Sequence, residues 1–338
     1  MMKKLISILS LLTLTLSLSA QQAGTYTYDF LNLANSARIG ALGGNQVGMG
    51  DDDVNLMFNN PSVLTSAISN NLTISYVPYV SEVNIFYTGY AHHIENIGTF
   101  GVGIHSINYG TFNRADEEGN LQGTFSASEY AIQLSYAKML SPNLNLGISM
   151  KPIISSFEQY NSFGLAADIG MMYKSTDQLF SAGLVVKNLG SQITTYNNTY
   201  ESIPTDLQIG IAKKLAHAPF RLALTAQDLL DWNLKYTVNN GSGDVIEGEG
   251  NNGNGFDQLM RHMVIGIEFI PSENFWVDFG YNHRRRKELS IGSKMSTVGY
   301  SWGFGFKVYK FKFAYGSARY HLSGTSNHFT LTARLSDF

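Results

Sequence analysis

Val298-Gly299-Tyr300-Ser301-Trp302-Gly303-Phe304-Gly305-Phe306-Lys307-Val308 is the stretch that decides the fold. Val298, Tyr300, Trp302, Phe304, Phe306 and Val308 are large and apolar, and the residues between them are Gly, Ser or Lys. A strand turns successive side chains to opposite faces, so one face here meets an apolar medium and the other a crowded or wet one. A transmembrane barrel strand has that requirement, with lipid outside and a lumen inside. The pattern recurs in Phe163-Leu165-Ala167-Ile169-Met171-Tyr173, in Met263-Ile265-Ile267-Phe269, in Phe275-Val277-Phe279-Tyr281 and in Leu144-Leu146-Ile148-Met150.

Working outward from these, fourteen stretches read as strands, at roughly 71–79, 83–93, 97–109, 127–139, 144–156, 162–173, 179–187, 205–215, 220–230, 260–270, 275–283, 296–309, 311–321 and 326–336. Their connections alternate between short turns and long loops, the long ones spanning 110–126, 188–204, 231–258 and 284–295. Short turns on one side and long loops on the other are the rule for outer-membrane barrels. An even strand count predicts both termini in the periplasm. The expected fold is all-β, a 14-stranded antiparallel transmembrane β-barrel over 71–338.

Composition agrees. Only 14% of residues are charged, while there are 33 glycines and 19 tyrosines, too little charge for the outer faces of a secreted β-sandwich. Of 23 basic residues two, Lys3 and Lys4, precede an apolar run from Leu5 to Leu18 that ends in small residues at Ala20. Residues 1–20 are thus predicted to be a secretory signal peptide, with an apolar run too short to span a bilayer as a helix. No cysteine follows it, which excludes a lipid-modified or disulfide-stapled protein. With 26 acidic residues the mature chain is mildly acidic, which argues against nucleic acid as a partner.

Residues 21–70 break the alternation. Phe30, Leu31, Leu33, Ala34, Ala37 and Ile39 fit a helical stripe that Gly43-Gly44 ends, with Ser36 and Arg38 inside it. Asp51, Asp52 and Asp53 read as caps of a second short helix through Leu56-Met57-Phe58, which Asn60-Pro61 stops. A compact, partly helical segment ahead of a barrel whose inward face is rich in glycine predicts an N-terminal plug in the lumen. A fourteen-strand barrel is too wide for its own small inward side chains to fill.

Candidate chemistry is sparse. Gly299-Tyr300-Ser301-Trp302-Gly303 matches a nucleophile-elbow pattern but lies within a strand, whereas that motif needs a strand-to-helix turn. Asp51 to Asp53 lack the alternate spacing of a calcium loop, and His92-His93 face opposite ways on a strand. The expectation is no enzymatic activity, no metal and no cofactor. His283-Arg284-Arg285-Arg286-Lys287 begins where a strand leaves the membrane, so the four cations are placed to meet lipopolysaccharide phosphates or an acidic partner, or form a solvated loop. The acidic, glycine-rich run 239–255 reads as a loop tip.

Phe30-Leu31-Asn32-Leu33, Ser36-Ala37-Arg38, Ala41-Leu42-Gly43-Gly44, Asp51-Asp52-Asp53, Asn60-Pro61, Tyr109-Gly110-Thr111-Phe112, Ala115-Asp116 and Phe125-Ser126-Ala127 together resemble the PorQ family of outer-membrane proteins of the Bacteroidetes type IX secretion system. Lys187-Asn188-Leu189-Gly190 and Ile203-Pro204 are similar to the wider PorV and FadL-like group. The resemblance implies a FadL-like barrel that anchors a PorZ-like surface protein, beside PorU-like and PorV-like components of an attachment complex that handles secreted cargo. Tyr109, Phe112, Phe125, Tyr196 and Tyr200, on or beside two long loops, are the expected partner contacts, since buried aromatics dominate binding energy. The alternative reading is a FadL-like transporter of hydrophobic small molecules, because one barrel fold serves both roles.

Overall fold

The computed structural model describes residues 26–337 apart from 117, 235–236, 241–243, 248–254, 289–296 and 322–323. The expected signal peptide, the first residues of the expected plug, most of the run 239–255 and the terminal Phe338 lie outside the residues described in full.

Fourteen strands form one closed antiparallel barrel: β1 (Asn71–Pro78), β2 (Asn84–Ile94), β3 (Gly98–Ala115), β4 (Leu121–Ser141), β5 (Leu144–Phe157), β6 (Tyr160–Lys174), β7 (Phe180–Thr194), β8 (Asp206–Lys214), β9 (Phe220–Ala226), β10 (Met263–Ser272), β11 (Phe275–Asn282), β12 (Tyr300–Val308), β13 (Phe311–His321) and β14 (Gly324–Arg334). Each pairs with its sequence neighbours, and β1 pairs with β14 to close the ring, Thr73 facing Thr332. Closure satisfies the backbone of every strand within the sheet, which a chain crossing hydrocarbon requires. No described helix is long and apolar enough to cross a membrane. The alternation is as read: in β12 Tyr300, Trp302 and Phe306 are exposed while Ser301, Gly303 and Gly305 are buried.

Four elements differ from the sequence reading. β12 starts at Tyr300 rather than near 296, because Gly299 sits at φ 87° and Val298 is buried instead of facing lipid. The expected loop 110–126 is mostly strand. β3 loses its partner β2 beyond Asn84↔Asn108 and β4 pairs with β5 only from Ala127, so the β3–β4 hairpin runs roughly 20 Å past those ladders and meets its neighbours through side chains such as Arg114 against Glu158. Thr111, Phe112, Thr124 and Phe125 favour strand and pair across it, Phe112 stacking on Phe125 at 5.2 Å. β7 runs on to Thr194 through a bulge at Asn188, whose φ is 54°. β9 stops at Ala226, because Asp206 captures the amides of Asp228 and Leu229 at 2.8 and 3.1 Å and turns the chain away.

The connections β2–β3, β4–β5, β6–β7, β8–β9, β10–β11 and β12–β13 share one rim with the final turn Leu335–Asp337, called here the short-turn rim; the long connections, with the short β1–β2 and β5–β6 turns, form the long-loop rim. Residues 26–70 lie inside the ring. They comprise the 3₁₀ turn Asp29–Asn32, helix α1 (Ala37–Ala41) and the 3₁₀ turns Val54–Phe58, Pro61–Val63 and Ser66–Ile68. The stripe that reads as one helix is thus two separate pieces.

Candidate functional site

The inner segment begins at the long-loop rim, where Tyr26 bridges Ser202, and leaves at the short-turn rim, where Asn70 accepts from the amide of Leu335 at 2.7 Å. This corrects the expectation that the segment starts on the same side as the C-terminus. An isolated helical stripe carries no information about which rim its first residue faces.

Each predicted inner residue has a local reason for its place. Ser36 caps α1 by accepting from Ile39 N, and Gly43 and Gly44, both at φ 97°, end it. Gly43 N donates to Ser301 Oγ at 3.1 Å, and Ser301 Oγ donates to Ala41 O at 2.8 Å. The serine of the elbow-like motif therefore fastens the end of α1 to the wall. Asp53 caps the turn Val54–Phe58, and Asn60 caps the next, with Pro61 at its first position. The predicted stop at Asn60-Pro61 is thus also a start.

Close approach of backbones needs glycine at two wall positions above all. A Cβ on Gly210 would lie 2.4 Å from Gly48 N, and one on Gly316 would lie 2.2 Å from Ala37 O. The segment is not loosely held in a wide pore; its main chain touches the wall on opposite sides of the ring.

Arg38, Asp51 and Asp53 come together with two wall residues. Arg38 Nε donates to Glu268 Oε1 at 2.7 Å, its Nη2 to Asp51 Oδ2 at 2.6 Å and its Nη1 to Asp53 Oδ2 at 3.1 Å. Arg221 Nη1 bridges Asp51 Oδ2 at 2.6 Å and Glu268 Oε2 at 2.7 Å. Burial alone would lift the Asp51 carboxyl, but the guanidinium groups of Arg38 and Arg221 hold it far below the ordinary carboxylate range. Asp52 is not part of this network and turns to solvent.

Deeper in, Phe58 of the segment meets a polar ring on the wall. His105 lies 4.6 Å from its ring, and the ammonium groups of Lys151 and Lys187 each lie 5.5 Å from its centroid. Lys151 is fully buried against Asp168 at 2.7 Å. Sequence reading missed Glu268, Arg221, Lys151 and Asp168. The available signal was a charged residue on the small, inward face of an otherwise alternating strand.

At the long-loop rim the segment does not fill the ring. A cleft of about 660 Å³ opens between Phe30 and Leu33 on one side and Tyr79, Val83, Ile107 and Phe112 on the other. Its floor is the buried apolar cluster of Phe30, Val77, Ile85 and Ile107. Asp29 and Glu82 stand at its mouth. Burial raises the Asp29 carboxyl, and the neighbouring Arg284 opposes the rise.

The other predicted surface residues divide. Phe112 and Tyr200 are exposed, whereas Tyr109 donates to Glu129 Oε2 at 2.5 Å and Tyr196 to Ser155 Oγ at 2.5 Å, which fixes both to the rim. Phe125 is half-buried under Phe112. The basic run is not an open loop but helix α3 (His283–Glu288), which packs on helix α2 (Gly255–Arg261). Arg284 pairs with Asp228 at 2.9 Å and Glu288 at 2.8 Å, and Lys287 with Asp257 at 3.2 Å. Arg285 lies on Gly44, and Arg286 stacks 5.9 Å from the Tyr300 ring centroid. No cluster of metal-ligating side chains occurs among the described residues.

Fold and site define a closed, plugged, fourteen-strand barrel with an apolar cleft at one mouth. No family model matches the sequence, and no curated protein matches it. Solved structures do share the fold. The CymD monoaromatic hydrocarbon channel superposes with a TM-score of 0.50 at 10% identity, covering 89% of this chain and 96% of that one. The Pseudomonas putida toluene transporter TodX gives 0.51 at 11% identity, again covering 89% and 96%.

Proposed function

We propose that the protein is a non-enzymatic outer-membrane barrel that takes up small hydrophobic molecules through the cleft beside its plug. The cleft carries this reading: it is apolar, of ligand size, and lies between plug and wall where a solute would first meet the barrel. Binding sites for small molecules span roughly 300–1,000 Å³. The barrel shared with two hydrocarbon channels supports it at the level of fold. Passage requires the plug to shift, since its main chain touches the wall below the cleft. The test is uptake of the apolar dye phenylnaphthylamine by cells of a barrel-poor Gram-negative strain expressing the protein. Uptake should rise with expression and fall when Ile107→Trp fills the cleft. Uptake independent of both would overturn the reading.

A second reading is favoured by one observation, the projecting β3–β4 hairpin with exposed Phe112 and Leu121 above a plugged lumen. On that reading the barrel anchors a PorZ-like surface partner of a type IX secretion complex, as the sequence resemblance implies, and the plug stays in place. Affinity capture from detergent-solubilised outer membranes distinguishes the two. A stoichiometric surface protein that leaves with Phe112→Ala supports the anchor; dye uptake with nothing co-purifying supports the conduit.

A further inference from the structure

The cleft at the long-loop rim has an electrostatic character that its apolar walls do not disclose. Four aromatic side chains line it: Phe30, Tyr79, Tyr109 and Phe112. Two carboxylates, Asp29 and Glu82, stand at its mouth, and no lysine or arginine is among the residues that line it. A third carboxylate, Glu129, lies directly behind Tyr109 and accepts a hydrogen bond from its hydroxyl at 2.5 Å, which increases the electron density of that ring. The cations on neighbouring elements are paired, Arg284 with Asp228 and Glu288 and Arg114 with Glu158, and neither lines the cleft.

A carboxylate ligand would therefore enter a site whose lining charges, Asp29 and Glu82, both repel it. A neutral hydrocarbon would gain the apolar walls alone. A ligand with a greasy body and a positive head would gain the walls, the faces of the rings and the two acids together. We infer that the cleft selects hydrophobic organic cations, aromatic or alkyl amines in particular, over neutral and anionic molecules of the same shape. The assignment rests on the conduit reading of the cleft and narrows it to one ligand class.

Glu82 adds a means of response. Its carboxylate Oε2 lies 3.4 Å from the amide of Thr111, a long contact to one edge of β3 just above the end of pairing with β2. An ammonium group in the mouth would compete for that carboxylate, and Glu82 is an exposed residue of the β1–β2 turn.

The experiment is calorimetric titration of the full barrel in non-ionic detergent with phenylbutylamine, phenylbutanol and phenylbutyrate, which share a body and differ in head charge. The amine should bind about tenfold more tightly than the alcohol, and the acid more weakly than either. In the double variant Asp29→Asn, Glu82→Gln the amine should fall to the level of the alcohol while the alcohol is unchanged, which separates lost charge from lost fold. Raised ionic strength should weaken the amine alone. Equal binding of alcohol and amine would overturn the charge selection and leave the conduit standing. Binding of none of the three, with the barrel still heat-modifiable on a gel, would overturn both.

Discussion

Arg38 of the plug and Glu268 of the wall meet at 2.7 Å, and Glu268 is only 2% exposed. The two belong to segments 230 residues apart, so the pair ties the beginning of the chain to the strands that follow its longest connection. Removing the arginine leaves the buried Glu268 and its neighbour Asp51 to share Arg221. Arg38→Ala should cost about 3 kcal/mol of plug docking and open the lumen part of the time. Single-channel recording in planar bilayers would detect new conductance steps. A silent variant with native heat-modifiability would mean that the backbone contacts alone hold the plug.

Gly210→Val tests those contacts. Its first added carbon would lie 2.4 Å from Gly48 N, which neither main chain can yield without separating. The expected outcome is a folded barrel with a displaced plug, seen as protease cleavage within 45–50 in a protein that resists cleavage when native. An uncleaved, fully active variant would show that the wall, not the plug, moves aside.

Acid should loosen the same attachment. Asp51 is held below its ordinary range when folded, so its contribution is present above the unfolded value near pH 4 and is lost as pH falls through the depressed folded value. Conductance events should become more frequent as pH drops below about 4. Asp51→Asn should already gate at neutral pH and respond less to acid. A flat pH profile in the native protein would assign the plug's retention to uncharged contacts.

The surface offers a separate test. Phe112→Ala and Tyr200→Ala remove exposed aromatics, the first of which also lines the cleft, whereas Tyr196→Ala deletes a hydroxyl bound to Ser155 at 2.5 Å. If a partner docks here, the first two should lower its retention on washed cells several-fold at unchanged barrel level. Tyr196→Ala should instead disturb the loop 195–205 that holds Tyr26, detectable as faster amide exchange around Ser202. Full retention of every co-purifying protein in all three would remove these loops as a docking surface.

Much of the barrel was legible because alternation is a local property. Phe279 and Trp302 face out and Asp278 and Ser301 face in as their parity requires, and the fourteen strands were found near their places. The hairpin 110–126 reads as a loop because its polar residues lose the alternation once lipid no longer demands an apolar face. Plug capping was legible for the same local reason: Ser36, Asp53 and Asn60 each bond an amide two or three residues on. What could not be read was partnership across the ring. Nothing near Asp51 in sequence announces Arg221, and nothing near Ser301 announces Gly43. The cleft was invisible for a further reason, since it is defined by where the plug fails to touch the wall.

The bridge between Tyr26 and Ser202 at one rim, and the bond between Asn70 and Leu335 at the other, give the ring an axle. β1 follows the axle directly and is itself the strand that meets β14 at closure. The plug and the seam of the hoop are therefore one continuous piece of chain, so that a pull on either is felt by the other.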